Sequence, residues 1–268
     1  MRIETITSAR NPKIKALLTL QEKSKARREE GLFIVEGRRE LAHCAAAGFR
    51  IRSLFICPAI AGDSLSGLPD ADIFEVSEDV YRRIACREGT EGIVAEVYAK
   101  ERRLEDIVLS ERPLVMVLEA VEKPGNLGAV LRSADAAGAD AVIICDPATD
   151  LYNPNLIRAS IGSVFTRQVA VASSEETIAW LRANGIAILT AQLQDSEWYY
   201  DTDMRRGTAL VMGTEATGLT EVWRKAADRH IRIPMLGRLD SLNVSVSAAI
   251  LLFEAVRQRN MRGSEAVI

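Results

Sequence analysis

Residues 114–145 read LVMVLEAVEKPGNLGAVLRSADAAGADAVIIC. The two ends are short, near-continuous apolar runs, as expected of strands buried on both faces. Between them Leu127, Val130, Leu131, Ala134 and Gly138 recur at helical spacing. Strand, helix, strand is the unit of a parallel sheet, because parallel neighbours need a crossover connection. A short helix (NPNLIRASIG) follows. The alternation then continues through RQVAVA, SEETIAWLRANG, IAILTA, TALVMG, TEVWRKAAD and IRIPM, and a final helix runs to about Arg259. The expected fold is α/β: a doubly wound, mainly parallel sheet covered by helices on both faces.

Upstream, residues 11–31 (NPKIKALLTLQEKSKARREEG) read as one helix, capped by Asn11, with Pro12 at its first position and Gly31 closing it. LFIVEG, IRSLFIC, ADIFEV and EGIVAEVYA read as strands, RRELAHCAAAG as a helix, and SEDVYRRIACR as a helix capped by Ser77. This is a compact αβ unit. The polar stretch KERRLEDIVLSERP connects it to the rest. Two domains are expected, residues 1–103 and 104–268.

Of the 268 residues, 48% are hydrophobic and 26% charged, which excludes a mainly disordered chain. No apolar run approaches the ~20 residues that span a bilayer, and MRIETITSARNPK lacks a signal-peptide core. A cytoplasmic protein away from membranes is expected. Cys44, Cys57, Cys86 and Cys145 include no C-x-x-C pair, and the only histidines are His43 and His230. The expectation is free thiols, buried or half-buried, and no metal. The net charge of −3 argues against nucleic acid, but Arg10, Lys13, Lys15, Lys23, Lys25, Arg27, Arg28 and Arg38 crowd the N-terminal end. They form either a solvated face or an RNA-contacting arm.

Ligands of open parallel sheets bind beyond the carboxyl ends of strands. After LVMVLE, Gly125 and Gly128 flank Asn126. The G-x-G-x-x-G of a dinucleotide site is absent; Asp146, ~20 residues further on, is its one weak echo. Arg132 follows Leu131 and can point out beside the buried stripe. It is either a surface arginine with a packed stem or a functional cation. After TALVMG, Gly213 and Gly218 bracket Glu215. After IRIPM comes LGRLDSLNVSVS. If the three strands are adjacent, Asn126, Arg132, Glu215, Ser241 and Asn243 share one cleft.

The segments NLGAVLRSADAAG, VMGTEATGLT and IPMLGRLDSLNVSVSAAILLFEAVRQR resemble the three motifs of the SpoU (TrmH) family, RNA ribose 2′-O-methyltransferases of the SPOUT superfamily. The resemblance covers about residues 113–259. More loosely, FIVEGRRELAHCAAAGFRIRSLFI is similar to the family's L30e-like RNA-binding domain. The resemblance implies a C-terminal trefoil knot, which ordinary topology disfavours, a homodimer, and S-adenosylmethionine (AdoMet) as cofactor. By position it implies that Arg132 is the catalytic arginine, that Asn126, Glu215, Ser241 and Asn243 complete the active site, and that Gly213, Ile233, Met235 and Leu242 hold the adenosyl group. The second motif departs at Thr214, where the family often has asparagine or serine; Glu215 is kept. The implied substrate is structured RNA, ribosomal RNA ahead of transfer RNA. The competing readings are a non-catalytic RNA-binding protein of the same fold and a methyltransferase acting on a base or a protein.

Overall fold

The computed structural model describes residues 4–62, 70–86, 91–147, 150–214 and 216–260. The chain divides into two compact units, Met1–Glu101 with Asp150–Thr166, and Arg102–Thr149 with Arg167–Ile268.

The first unit runs β1 (Glu4–Ile6), α1 (Pro12–Glu22), α2 (Ser24–Glu30), β2 (Leu32–Glu36), α3 (Arg38–Ala46), β3 (Ile51–Ile56), α4 (Pro58–Ala61), β4 (Asp72–Val76), α5 (Glu78–Ile84) and β5 (Ile93–Tyr98). Its mixed sheet has the order β1-β4-β3-β5-β2, with β5 antiparallel to both neighbours. The single helix expected over 11–31 is two helices. Lys23 is extended (φ −111°, ψ 111°) and breaks it. The cause is Arg27, which is buried and turns back to donate to the carbonyls of Leu20 and Gln21 at the end of α1, while its Nε pairs with Asp150. A buried guanidinium needs such partners. Arg27 is therefore not part of a solvated basic face; Arg10, Lys15, Lys23, Lys25 and Arg28 are exposed. The short helix expected after AVIIC is Pro154–Ala159, and its segment packs with this first unit. There Tyr152 and Phe165 stack against the buried Phe33.

The second unit runs β6 (Leu114–Glu119), α6 (Pro124–Ala136), β7 (Ala141–Cys145), then, after α7 (Pro154–Ala159) and α8 (Ser163–Thr166) in the first unit, β8 (Gln168–Ala172), α9 (Ser174–Ala183), β9 (Ala187–Ala191), β10 (Glu197–Trp198), β11 (Thr208–Met212), α10 (Glu221–Ala226), β12 (Arg229–Arg232) and α11 (Val244–Asn260). Its seven strands are all parallel, in the order β10-β12-β9-β11-β6-β7-β8. The expected parallel α/β sheet is borne out. Every residue of β6, β7 and β11 is buried. Val115, Val117, Ile143, Ala209 and Val211 share one core with Ile178 and Leu181 of α9 and Trp223 of α10. Strand residues alternate between faces; on the other face α6 and α11 pack on the sheet and on each other. No helix among the described residues is long and apolar enough to cross a membrane. Cys44, Cys57 and Cys145 are buried, Cys86 is exposed, and none of the four is in a disulfide.

Candidate active site

The strand order decides where ligands can bind. The chain steps outward from β6 through β7 to β8, returns on the far side with β9, and then inserts β11 between β9 and β6. Such a reversal opens a crevice at the carboxyl ends of the strands. A pocket of about 360 Å³ lies there, lined by Gln192 just beyond β9, by Gly213 and Gly218 beyond β11, by Ile233 and Met235 beyond β12, and by Ser241 and Leu242 before α11. Its size suits a small ligand. Ile231, Leu251 and Met212 give it an apolar floor.

The wall after β11 is a closed glycine loop. Thr214 N–H donates to Gly218 O and Gly218 N–H to Thr214 O, at 3.3 and 3.1 Å. A Cβ on Gly213 would lie 2.3 Å from the Gly218 carbonyl, so only glycine permits this approach. Glu119, the last residue of β6, is buried and anchors the loop's far end, accepting from Thr220 N–H (2.9 Å) and Thr220 hydroxyl (2.6 Å). Glu215 lies outside the described residues.

The expected site residues fall into two groups. Gly213, Ile233, Met235, Ser241 and Leu242 line the pocket. Asn126 and Asn243 meet beside it, with Asn243 Nδ2 donating to Asn126 Oδ1 at 3.1 Å. The supposed adjacency of the three strands is corrected: β6 and β11 are neighbours, but β9 separates β11 from β12. The Asn126–Asn243 link nevertheless brings the loop before α11 to the start of α6. Arg132 is exposed on α6, with no hydrogen bond or ion pair among the described residues. Asn243 also caps α11. Its Oδ1 accepts from Ser245 N–H (3.0 Å) and hydroxyl (2.6 Å), so capping falls to the asparagine rather than to Ser245 or Ser247. Asp146 is spent on α9, accepting from Ser174 N–H and hydroxyl, which leaves no dinucleotide-like acid. Ser174 in turn accepts from the Trp223 indole.

Sequence reasoning missed Glu119, Gln192, Arg224 and Arg232. The last three line the pocket, and each has a buried polar atom without a partner among the described residues. Gln192 follows IAILTA, a strand end without the glycine turn that marks the rims after LVMVLE, TALVMG and IRIPM; Arg232 alternates with Ile231 and Ile233 in IRIPM.

Comparison with known proteins agrees with this geometry. The SpoU rRNA Methylase family model matches residues 113–253, and the MRM3-like substrate binding domain matches residues 11–95. The chain is similar to the 23S rRNA (guanosine(2553)-2′-O)-methyltransferase RlmP of Bacillus subtilis (strain 168), at 28% identity over 94% of this chain and 98% of that one. A solved RNA 2′-O ribose methyltransferase is 39% identical with a TM-score of 0.82, covering 95% of this chain and 99% of its own. An AdoMet-bound rRNA methyltransferase from Sinorhizobium meliloti is 32% identical with a TM-score of 0.87, covering 95% and 98%. Fold and site together define an AdoMet-dependent RNA ribose 2′-O-methyltransferase. The chain belongs to the SpoU rRNA methylase family.

Proposed function

We propose that the protein methylates a ribose 2′-hydroxyl of ribosomal RNA, with the pocket beyond β9, β11 and β12 as its cofactor site and the Asn126–Asn243 pair at the lip as the edge of its RNA site. One observation carries this reading: the closed glycine loop, the segment Ile233–Met235 and the turn before α11 converge on one nucleoside-sized cavity. The names of the relatives, 23S rRNA 2′-O-methyltransferases, support ribosomal over transfer RNA.

When bound, AdoMet supplies a methyl group activated on a sulfonium. The chain's task is to hold the hydroxyl in line and to offset the charge that grows on its oxygen. Backbone at Gly213, Ile233 and Leu242, with Met235 beside them, would hold the adenosyl group. The amide of Asn243 is fixed at both ends, by Asn126 and by Ser245, so it can position a ribose without a large entropic loss. Ser241 sits on the pocket side of the same turn, and Glu215 completes the site by its place in the second motif. Arg132, exposed and unpaired among the described residues, acts as an electrostatic clamp on the developing oxyanion. A guanidinium keeps its proton at neutral pH, so phosphate or solvent is the better proton acceptor. Arg132→Ala should leave AdoMet binding by calorimetry unchanged and lower transfer of a tritiated methyl group by about 10²–10³-fold. Near-normal turnover would remove Arg132 from the mechanism.

The same unit carries an uncovered apolar face. Val246, Ile250 and Phe253 follow helical spacing along α11, and Val246 and Phe253 are about half exposed; Leu236 and Leu239 are exposed at 98% and 75%. A patch of this kind marks an interface, and a second copy of the chain covers it in a C₂ dimer. The SpoU relationship supports a trefoil knot in this unit, and modification of ribosomal RNA supports a cytoplasmic location.

A further inference from the structure

Three buried polar atoms of the pocket have no hydrogen-bond partner among the described residues: Nε of Arg224, Nε of Arg232 and Oε1 of Gln192. They come from three separate elements, α10, the end of β12 and the residue after β9, yet all three side chains line the same cavity. Buried donors and acceptors are nearly always met, so three orphans around one cavity call for a ligand that meets them. The other end of each side chain is already held. The Arg232 guanidinium lies 4.3 Å over the Trp198 ring, Arg224 Nη1 is 3.6 Å from Glu221, and Gln192 Nε2 donates to Gln194 O. Each side chain is thus held nearby while one buried polar atom lacks a hydrogen-bond partner among the described residues.

Two unmet donors and one unmet acceptor are the complement of an α-amino acid, whose carboxylate accepts and whose ammonium donates. Charge agrees. Among the described lining residues the charged side chains are Arg224, Arg232 and Asp240. Asp240 is exposed and accepts from the Ser241 hydroxyl, and Arg224 is paired with Glu221, which leaves the Arg232 guanidinium as the charge without a carboxylate among the described residues. We propose that Arg224 and Arg232 receive the carboxylate at the amino-acid end of AdoMet and that Gln192 receives its ammonium. The three atoms are sheltered from water, so the side chains turn inward by a small rotation as the ligand enters. This assignment rests on the reading of the pocket as the cofactor site, and adds to the backbone grip on the adenosyl group a side-chain grip on the other end. Trp198 is then a positioning residue, because it fixes the plane of Arg232.

Calorimetry on the full chain tests this with three probes: S-adenosylhomocysteine, its decarboxylated form, and methylthioadenosine, which lacks the amino-acid end. The wild type should prefer S-adenosylhomocysteine to the decarboxylated form by about 10–100-fold, the range for charge-assisted hydrogen bonds. Arg232→Gln and Arg224→Gln should each cut that preference severalfold, and Gln192→Leu should weaken both amino-acid-bearing probes. Methylthioadenosine should bind all four proteins within about twofold. A wild type indifferent to the carboxylate overturns the proposal even if the variants fail to fold. So does a loss of methylthioadenosine affinity in the arginine variants as large as that of S-adenosylhomocysteine, since the arginines then only shape the cavity. Failure of every probe to bind the wild type removes the pocket assignment itself, a result distinct from the other two.

Discussion

Replacing Gly213 and Gly218 separately by alanine separates two reasons for a glycine. A Cβ at Gly213 would lie 2.3 Å from both the carbonyl carbon and oxygen of Gly218 and 2.5 Å from Leu219 N. Ordinary contact is about 3.5–4.0 Å, so the opposite backbone must retreat by more than about 1 Å. That breaks the two backbone hydrogen bonds between Thr214 and Gly218, each worth about 0.5–1.5 kcal/mol, and adds about 1–3 kcal/mol of overpacking. The sum is about 2–6 kcal/mol. At Gly218 a Cβ would meet nothing within 4 Å, but φ is +67°; the cost is the left-handed strain alone, about 1–2 kcal/mol. At about 2–4 °C per kcal/mol for a unit of this size, Gly213→Ala should lower the melting temperature by about 4–24 °C and Gly218→Ala by about 2–8 °C. Both glycines line the pocket, but only a Cβ at Gly213 forces the backbone there apart, so calorimetry should show AdoMet affinity falling by about tenfold or more in the first variant and little in the second, a difference above about 1.4 kcal/mol. A Gly213→Ala protein that melts within about 2 °C of wild type and binds normally, or a reversed order of the two variants, would refute the closed-loop argument.

Neutralising Lys15, Lys23, Lys25 and Arg28 to glutamine should weaken RNA binding and flatten its salt dependence, by about 0.7–0.9 in slope for each phosphate no longer neutralised; an unchanged slope in filter binding would mean a merely solvated face. Substitution is the right perturbation, because deleting the segment would strip Ile14, Leu17 and Leu20 from the core of the first unit. Phe253→Lys should convert a dimer to a monomer in sedimentation while leaving the fold intact by circular dichroism, and a wild type that sediments as a monomer would falsify the dimer. Glu254 is held below the usual carboxylate range, first by the hydrogen bond from Arg257 and then by that from Gln258. A carboxylate whose folded pKa is lowered stabilises above the ordinary value and loses that stabilisation as pH falls through the folded one. Glu254→Gln should therefore cost about 1–2 kcal/mol at pH 7 and less below about pH 4, read by urea unfolding at the two pH values; an equal cost at both would sink this linkage.

The sheet was legible because its strands are buried on both faces. LVMVL, AVIIC and TALVM can form little else between helices with one apolar stripe, and nothing polar has to be placed. What escaped the sequence involves charged side chains used internally. Arg27 looks like one more solvated cation in KSKARREE, yet it is the reason the helix breaks at Lys23. Its partner Asp150 lies 123 residues away, and a pairing at that separation leaves no local pattern. The same distance hides Asp150–Thr166, whose aromatic contacts belong to the first unit although its neighbours on both sides belong to the second.

The site was half legible for a related reason. Motifs mark residues that approach a ligand through backbone or at a fixed turn, such as Gly213, Ile233, Ser241 and Leu242, all of which line the pocket. They do not mark Gln192, Arg224 and Arg232, because side chains reaching in from three elements share no spacing. Nor can they divide the roles of Asn243. One amide accepts from Ser245 to start α11 and donates to Asn126 to join α11 to α6. The two bonds from Ser245 that start the helix also fix the direction of the Asn243 amide, the group proposed to face the ribose. The polarity of SLNVSVS is thus not a choice between folding and chemistry: the cap is what makes the amide rigid, and rigidity is what a positioning group needs.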